Sequence, residues 1–364
     1  MGRILFVTWH GGGNVNPVVA LGRQLVETGH DVRVLGPASL RARFDAAALA
    51  FTGRDPQRQW ELRATAEDVD DACSDANPDV VVVDYMLPAA LCATEARGVT
   101  TVALVHTLYG ALVEDGTVTP MLMAASVNAV NALRRQLDLP TVERLGDLLH
   151  AVRRVIVTTS SDVDVMPDPL PPNVTYVGPV FEGAGRDAGW APPPGDGPLV
   201  VVSLGTTDMD ELPVLSTILA ALAPEPVRVV ATVGEHADPS AIATPGNAIV
   251  TGFVQHAAVL PHAELVITHG GIGTALAALA HGVPVLTLPL GRDQPVNAAA
   301  IAATGAGKVL SPHASPGQIV VAVRELLRDG AARAAARRIG ATMAPPGGRH
   351  PATELIAALI DGSD

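Results

Sequence analysis

The feature that most restricts the fold of this chain is a repeated alternation. Short β-branched runs such as "ILFV", "VVVVD" and "VVVS" are separated by Ala- and Leu-rich segments in both halves. Parallel strands joined by crossover helices read this way, because a strand buried on both faces needs no polar alternation and its return path is a helix. The alternation lapses at "EGAGRDAGWAPPPGDGP", a stretch dense in Gly and Pro and without periodicity, which is the composition of a linker. A chain of 364 residues is also too long for one core of ordinary size. The expectation is an α/β protein of two parallel-sheet lobes. Its limits are residues 1–181, a linker over 182–198, a second lobe over 199–345, and a last helix within 346–364 that is free to pack back on the first lobe.

In the first lobe the runs predict strands at Ile4–Thr8, Asp31–Leu35, Val80–Val83, Thr101–Val105, Val155–Val157 and Val174–Val177. Helices are expected at Pro17–Thr28, capped by Asn16, and at Pro88–Ala96. The second lobe repeats the pattern, with strands at Leu199–Leu204, Val227–Thr232, Ala248–Thr251, Leu265–Thr268, Pro284–Leu288 and Lys308–Leu310. Its helices are expected near Leu212–Leu222, Ile272–His281, Gln294–Thr304 and Pro316–Arg328. Ligands of such sheets bind outside the carboxyl ends of the strands, which directs attention to the cleft where two lobes would face each other.

Composition removes several classes of function. A formal net charge of −13 offers no field that would gather nucleic acid or an anionic membrane. Lys308 is the only lysine, so Schiff-base and P-loop lysine chemistry lack their residue. Cys73 and Cys92 have no metal-ligand spacing and call for no disulfide. The longest apolar stretch, Ala275 to Leu290, is interrupted by His281, Gly282, Pro284 and Pro289, and falls short of the roughly 20 residues of a membrane span. With no secretory signal legible in "RILFVTW", a cytoplasmic location is expected.

The second lobe carries the strongest chemical signal, "LVITHGGIGTALAALAHGVPVLTLPLGRDQPVNA". A buried strand ends at Thr268, a His-Gly-Gly turn follows, and a helix opens near Ile272. Exposed amides and the positive dipole end of a helix suit a phosphate, and His269 and Thr274 add donors. Such a diphosphate seat uses neither lysine nor metal.

The spacing His269-x-Gly271-x-x-Thr274, then "GVP" at Gly282–Pro284, then Asp293–Gln294, resembles the donor signature of the family 1 glycosyltransferases, including bacterial natural-product enzymes. The likeness extends through "GFVQHAAVLPHAELVITH", "VVVSLGTTD" and, in the first lobe, "GHDVRVL". It implies the GT-B fold of two Rossmann-like lobes and inverting, metal-independent transfer from a nucleoside diphosphate sugar, with no other cofactor. By this resemblance Phe253 stacks on the nucleobase and the Val254 backbone bonds its edge. His269, Gly271, Gly273 and Thr274 hold the diphosphate with Thr206, and Asp293 and Gln294 bind hydroxyls of the sugar. The chain departs from the pattern at Ala277, where a ribose-binding glutamate is common, and at Gln255–His256, where Pro-Gln is usual. The first departure makes a deoxynucleotide, such as a thymidine diphosphate, a more plausible donor.

Inverting transfer needs a group to take the acceptor proton. Many relatives place a histidine directly before the first helix, and this chain has Asn14 there, whose amide is no base. In "WHGGGNVNP" the nearest substitute is His10, which is taken as the catalytic base, with Asn14 orienting the acceptor or the histidine. His106, at the end of "TVALV", is the second candidate, and Asp84 could orient either histidine or cap its own loop. An acceptor acidic enough to ionise by itself would need no base. A first lobe poor in aromatics and rich in Ala, Leu, Val and Met favours a small, largely apolar acceptor, and a homodimer remains open. Competing readings are a nucleotide-sugar epimerase or hydrolase on the same fold, and a non-catalytic helper that binds a sugar nucleotide. A dinucleotide oxidoreductase fits poorly, because Asn16 stands where the glycine fingerprint wants a third glycine.

Overall fold

In a computed structural model of the chain, the described residues are 1–58, 60–113, 125–181, 190–205, 209–234, 237–343 and 349–362. The chain divides into two compact units, Met1–Glu182 together with Gly348–Asp364, and Gly183–Gly347.

The first unit is built on a parallel sheet of β1 (Arg3–Val7), β2 (Asp31–Pro37), β3 (Ala50–Arg54), β4 (Val80–Asp84), β5 (Thr101–Val105), β6 (Arg154–Val157) and β7 (Val174–Tyr176). Their spatial order is β3-β2-β1-β4-β5-β6-β7. Every residue of β4 and β5 is buried, which is why these runs are apolar without alternation. Successive residues feed opposite faces. Leu5, Val7, Val81 and Val83 join one core layer, while Ile4, Phe6, Val80 and Val82 join the other. Helices Val15–Glu27, Leu62–Ala76 and Pro88–Arg97 are among those that cover the sheet.

The second unit carries β8 (Leu199–Ser203), β9 (Arg228–Thr232), β10 (Ala248–Thr251), β11 (Ala263–Thr268), β12 (Val285–Thr287) and β13 (Gly307–Val309). Their order is β10-β9-β8-β11-β12-β13, again parallel. In both sheets the order reverses direction once, between β1 and β4 in the first and between β8 and β11 in the second. A crevice opens at such a switch point because the helices that follow its two strands leave on opposite faces.

The last helix, Pro351–Asp361, belongs to the first unit. Ala352 and Ile356 are fully buried in its core, and His350 N and Thr353 Oγ1 donate to Gln24 Oε1 at 2.8 and 3.0 Å. Among the described residues no helix is long and apolar enough to cross a membrane.

Among the elements that exceed the expectation, three show why. Strand β3, "AFTGR", is an edge strand with only Arg54 buried, so it shows neither an apolar run nor clean alternation. Helix Leu62–Ala76 carries five carboxylates and buries Ala66, Val69 and Cys73 at spacings of three and four. Helix Gly330–Gly340 buries Ala332, Ala335, Ala336 and Ile339, a face made mostly of alanine, which marks a core less plainly than larger side chains do. One expectation is corrected: Asn16 does not cap the first helix. That helix begins at Val15 with Asn14 at its N-cap, and even Asn14 makes no side-chain capping bond, because its amide is committed elsewhere.

Candidate functional site

At the switch point of the first unit, the register sets Val7 opposite Val83 and Asp84 opposite Leu104. Residues just past β1 and β5 therefore adjoin the end of β4. Asp84 is 2% exposed and accepts three hydrogen bonds. Met86 N donates to its Oδ1 at 3.0 Å, and Asn14 Nδ2 and His106 Nε2 meet its Oδ2 at 3.0 and 3.1 Å. Asn14 is itself held by Gly11 N, which donates to its Oδ1 at 3.0 Å, while its Nδ2 also donates to Trp9 O at 3.0 Å. The His106 ring packs edge-on against Tyr85, with centroids 4.9 Å apart, and its side chain is 18% exposed.

His10 lies apart from this cluster. It is exposed, and its Nδ1 is 3.3 Å from Ser39 Oγ, just beyond β2. The glycines around it have structural reasons. A Cβ on Gly11 would fall 2.2 Å from the Trp9 ring, and Gly12 has a φ of 85°, a conformation that side chains disfavour. Trp9 in turn packs edge-to-face on Trp60, with centroids 5.0 Å apart. The structure thus brings together Asn14, Asp84 and His106, and leaves His10 outside their hydrogen bonds.

In the second unit His269 follows β11 beside the end of β8. Its imidazole hydrogen-bonds the Ser203 backbone and lies against the glycines: a Cβ on Gly271 would come within 2.7 Å of Nε2, and one on Gly205 within 3.3 Å of the ring. Burial holds the imidazole below its ordinary pKa, while Asp293 pulls it back up. It is therefore neutral at pH 7, an N–H donor rather than a cation. Helix Ile272–Ala280 starts here with Gly271 at its N-cap and no side-chain cap, so its first-turn amides, those of Gly273 and Thr274 included, face outward as donors. Gly273 has open space where a Cβ would stand.

The Asp293–Gln294 pair is anchored to this turn. Asn297 Nδ2 donates to Asp293 Oδ2 at 2.9 Å and to Gly270 O at 3.2 Å, tying the two motifs to each other. The members of the pair then differ. Asp293 is half-buried, whereas Gln294 is 2% exposed, with Oε1 accepting from Leu290 N at 2.7 Å and Gly291 N at 3.1 Å. Its Nε2 donates to Met209 Sδ at 3.1 Å. Gln294 holds the loop rather than presenting an open amide. Replacing Gln294 with Ala strips two backbone donors of their acceptor and is expected to cost about 2 kcal/mol. Urea unfolding should show a lower midpoint at unchanged slope, and an unmoved midpoint would contradict this role.

Phe253 follows β10 and is 63% exposed, an unusual position for an aromatic residue, and Val254 comes next along the same loop. His256 opens the short helix after it. Burial, aided by the neighbouring His281, takes its pKa down to about 4. Ala277 is buried in helix Ile272–Ala280, and His281 Nδ1 is 2.9 Å from the Ala277 carbonyl. Thr206 lies outside the described residues. What sequence reasoning missed was Asn297 as the tie between the motifs and Met209 as the partner of Gln294. Asn297 could have been found as the residue one turn after Asp293, whereas nothing in the sequence marks Met209.

Comparison with known proteins bears on both units. Residues 216–360 match the model for the C-terminal domain of erythromycin biosynthesis protein CIII-like proteins, and residues 11–178 match that for glycosyltransferase family 4. The chain is 25% identical to 4'-demethylrebeccamycin synthase of Lentzea aerocolonigenes over 98% of this chain and 99% of that protein. It is 31% identical to a PGL/p-HBAD biosynthesis glycosyltransferase of Mycobacterium tuberculosis over 69% of this chain, although the match spans only 56% of that longer protein. Among solved structures, CalG4, the calicheamicin glycosyltransferase, superposes with a TM-score of 0.84 at 23% identity, covering 100% of this chain and 99% of that one. The spinosyn rhamnosyltransferase SpnG, solved with thymidine diphosphate, gives 0.75 at 22% identity, covering 98% and 99%. With the first unit matched by a glycosyltransferase model, the second by an antibiotic-biosynthesis model and the whole length by an antibiotic-biosynthesis enzyme, the chain is a glycosyltransferase of GT-B fold, similar to those of bacterial natural-product biosynthesis.

Proposed function

We propose that the protein transfers a sugar, with inversion at the anomeric carbon, from a nucleoside diphosphate sugar to a hydroxyl of a small, largely apolar acceptor. The observation that carries this reading is the second unit's turn: an uncapped helix N-terminus and a neutral, buried His269 at the β8/β11 switch point, with Asp293 tied to the same turn through Asn297. The first-turn amides at Gly273 and Thr274 and the His269 N–H stabilise the diphosphate as it leaves. Gly271 lets His269 lie close to that helix end. Asp293 accepts from hydroxyls of the transferred sugar, and Gln294 supports it by holding the loop. Phe253 offers its exposed ring to the nucleobase and the Val254 backbone bonds the base edge. This set needs no metal, because an oriented dipole and neutral donors carry the charge.

The donor favoured is a thymidine diphosphate sugar. Ala277 provides no carboxylate for a ribose 2'-hydroxyl. SpnG, of the same fold, was solved with thymidine diphosphate. A thermal-shift series with nucleoside diphosphates and dinucleotides tests the reading, since a ligand present at 100 times its Kd stabilises a native state by about 2.7 kcal/mol. Thymidine diphosphate is expected to raise Tm the most, uridine diphosphate less, and NAD not at all. A rise with NAD alone, or with no nucleoside diphosphate, would sink the proposal. Release of free nucleoside diphosphate that depends on added acceptor then separates transfer from epimerisation or hydrolysis.

A further inference from the structure

We infer that the base of this enzyme is His106, held by Asp84, and that Asn14 positions that carboxyl group instead of acting on the acceptor. The inference rests on the transfer reading above and assigns its proton.

Asp84 can only accept hydrogen bonds when ionised, and its Oδ2 lies 3.1 Å from His106 Nε2. The ring proton of neutral His106 therefore sits on Nε2, and Nδ1 carries the lone pair. Edge-on packing against Tyr85 restrains the plane of the ring. The orientation of Asn14 is also determined: Gly11 N donates to its Oδ1, so its Nδ2 is the atom that faces Asp84. An amide at the head of the first helix thus does for the carboxyl group what a hydrogen-bonded imidazole would do, and the imidazole of this network stands at the end of β5. His10 lacks this arrangement, because among the described residues no carboxylate reaches it; its Nδ1 is 3.3 Å from the Ser39 hydroxyl. An imidazolium formed at His106 would be stabilised by Asp84, 3.1 Å away.

In the step this implies, the acceptor oxygen forms its bond to the anomeric carbon as its proton passes to His106 Nδ1. The carbon–oxygen bond to the diphosphate breaks, and its electron pair leaves on the β-phosphate oxygen. The acceptor class follows: with a base in place, a neutral hydroxyl that does not ionise by itself is competent, so the assignment extends acceptors from acidic phenols to ordinary alcohols and weakly acidic phenols.

The test uses the full chain, a thymidine diphosphate hexose as donor, and two phenols as acceptors: 4-methoxyphenol, which stays protonated at pH 7.5 or thereabouts, and 4-nitrophenol, which largely ionises unaided. Wild-type protein should turn over both. His106→Gln keeps a donor for Asp84 but cannot take a proton, and should lose about 10²- to 10³-fold with 4-methoxyphenol while losing little with 4-nitrophenol. His10→Ala should change neither by more than a few-fold. A Tm rise with thymidine diphosphate equal to that of wild type certifies each variant's fold, and His106→Asn replaces the Gln variant if that one fails the check. Equal losses with both phenols, no loss with either, or the selective loss appearing in His10→Ala instead would each overturn the assignment. Wild-type protein that binds the nucleotide but releases none in response to either phenol would overturn the transfer reading itself, and the base with it.

Discussion

Replacing Asp84 with Ala is expected to lower stability by about 3 kcal/mol and to leave the protein unable to glycosylate a neutral hydroxyl. The stability loss follows from what the carboxyl group holds. Asn14 Nδ2, Met86 N and His106 Nε2 all converge on a side chain that is 2% exposed. Each buried donor stripped of its acceptor costs about 1–3 kcal/mol, and some of the three will find new partners, so the sum stays near the upper end of one such loss. Asp84→Asn separates the two effects. It keeps the shape, but one end of an amide is a donor, and whichever way it turns it sets N–H against N–H, either at Met86 or at Asn14 and His106. That variant should lose less stability than Asp84→Ala, about 1–2 kcal/mol, and nearly as much turnover, because the negative charge that stabilises a His106 imidazolium is gone in either orientation. Urea unfolding and turnover of a neutral acceptor measure the two quantities. Near-normal turnover by Asp84→Asn would show that the carboxylate has no part in the chemistry.

The members of this network were legible in the sequence, but not their arrangement. The runs "ILFV", "VVVVD" and "TVALV" announce β1, β4 and β5, and Asp84 and His106 are visible as polar residues where those runs stop. Asp84 could be offered to either histidine, but the sequence does not choose between them, because Asp84 and His106 are 22 residues apart and Asn14 and Asp84 are 70 apart. It depends on the register that puts Asp84 beside Leu104, two residues before His106, and register is a property of the assembled sheet. Proximity in sequence favoured His10, which lies outside these hydrogen bonds. A glycine run next to a histidine invites the thought of a loop folding back, yet Gly11 is small because of Trp9, and Gly12 because of its φ. The same limit applies to Asp293–Gln294. The motif spacing locates the pair, but only packing reveals that Gln294 spends its oxygen on Leu290 N and Gly291 N while Asp293 stays half-buried. Helices that open with a proline in the first turn and are rich in Leu, Ile and Val, such as Leu212–Leu222 and Pro316–Arg328, were legible to the residue. Edge strand β3 was not, because an edge exposed on both faces writes no hydrophobic period.

The second large effect is expected at the His-Gly-Gly turn, where ligand binding and folding make opposite demands. Gly273 is the second residue of helix Ile272–Ala280, and a methyl group there would meet nothing within 4 Å. On folding grounds alone, Gly273→Ala should stabilise the protein by about 0.5–1 kcal/mol, since it removes backbone freedom from the unfolded chain at a position with ordinary helical angles. If the open space is where a diphosphate sits against the helix amides, the same methyl must weaken nucleotide binding, by an expected factor of 10 or so. His269→Ala should weaken it further, by about 10²-fold, because a desolvated donor to a charged oxygen is worth about 1.5–3 kcal/mol. Gly271→Ala should resemble His269→Ala in binding while losing stability, because its Cβ would come within 2.7 Å of His269 Nε2 and push the ring aside. Calorimetric titration with thymidine diphosphate and thermal unfolding of the three variants give both axes. The diagnostic variant is Gly273→Ala, which alone should become more stable and bind less; if it gains stability and keeps its affinity, the phosphate lies elsewhere. A glycine retained at a cost to stability, in a helix that would accept alanine, is what a site that must admit a ligand to its backbone requires.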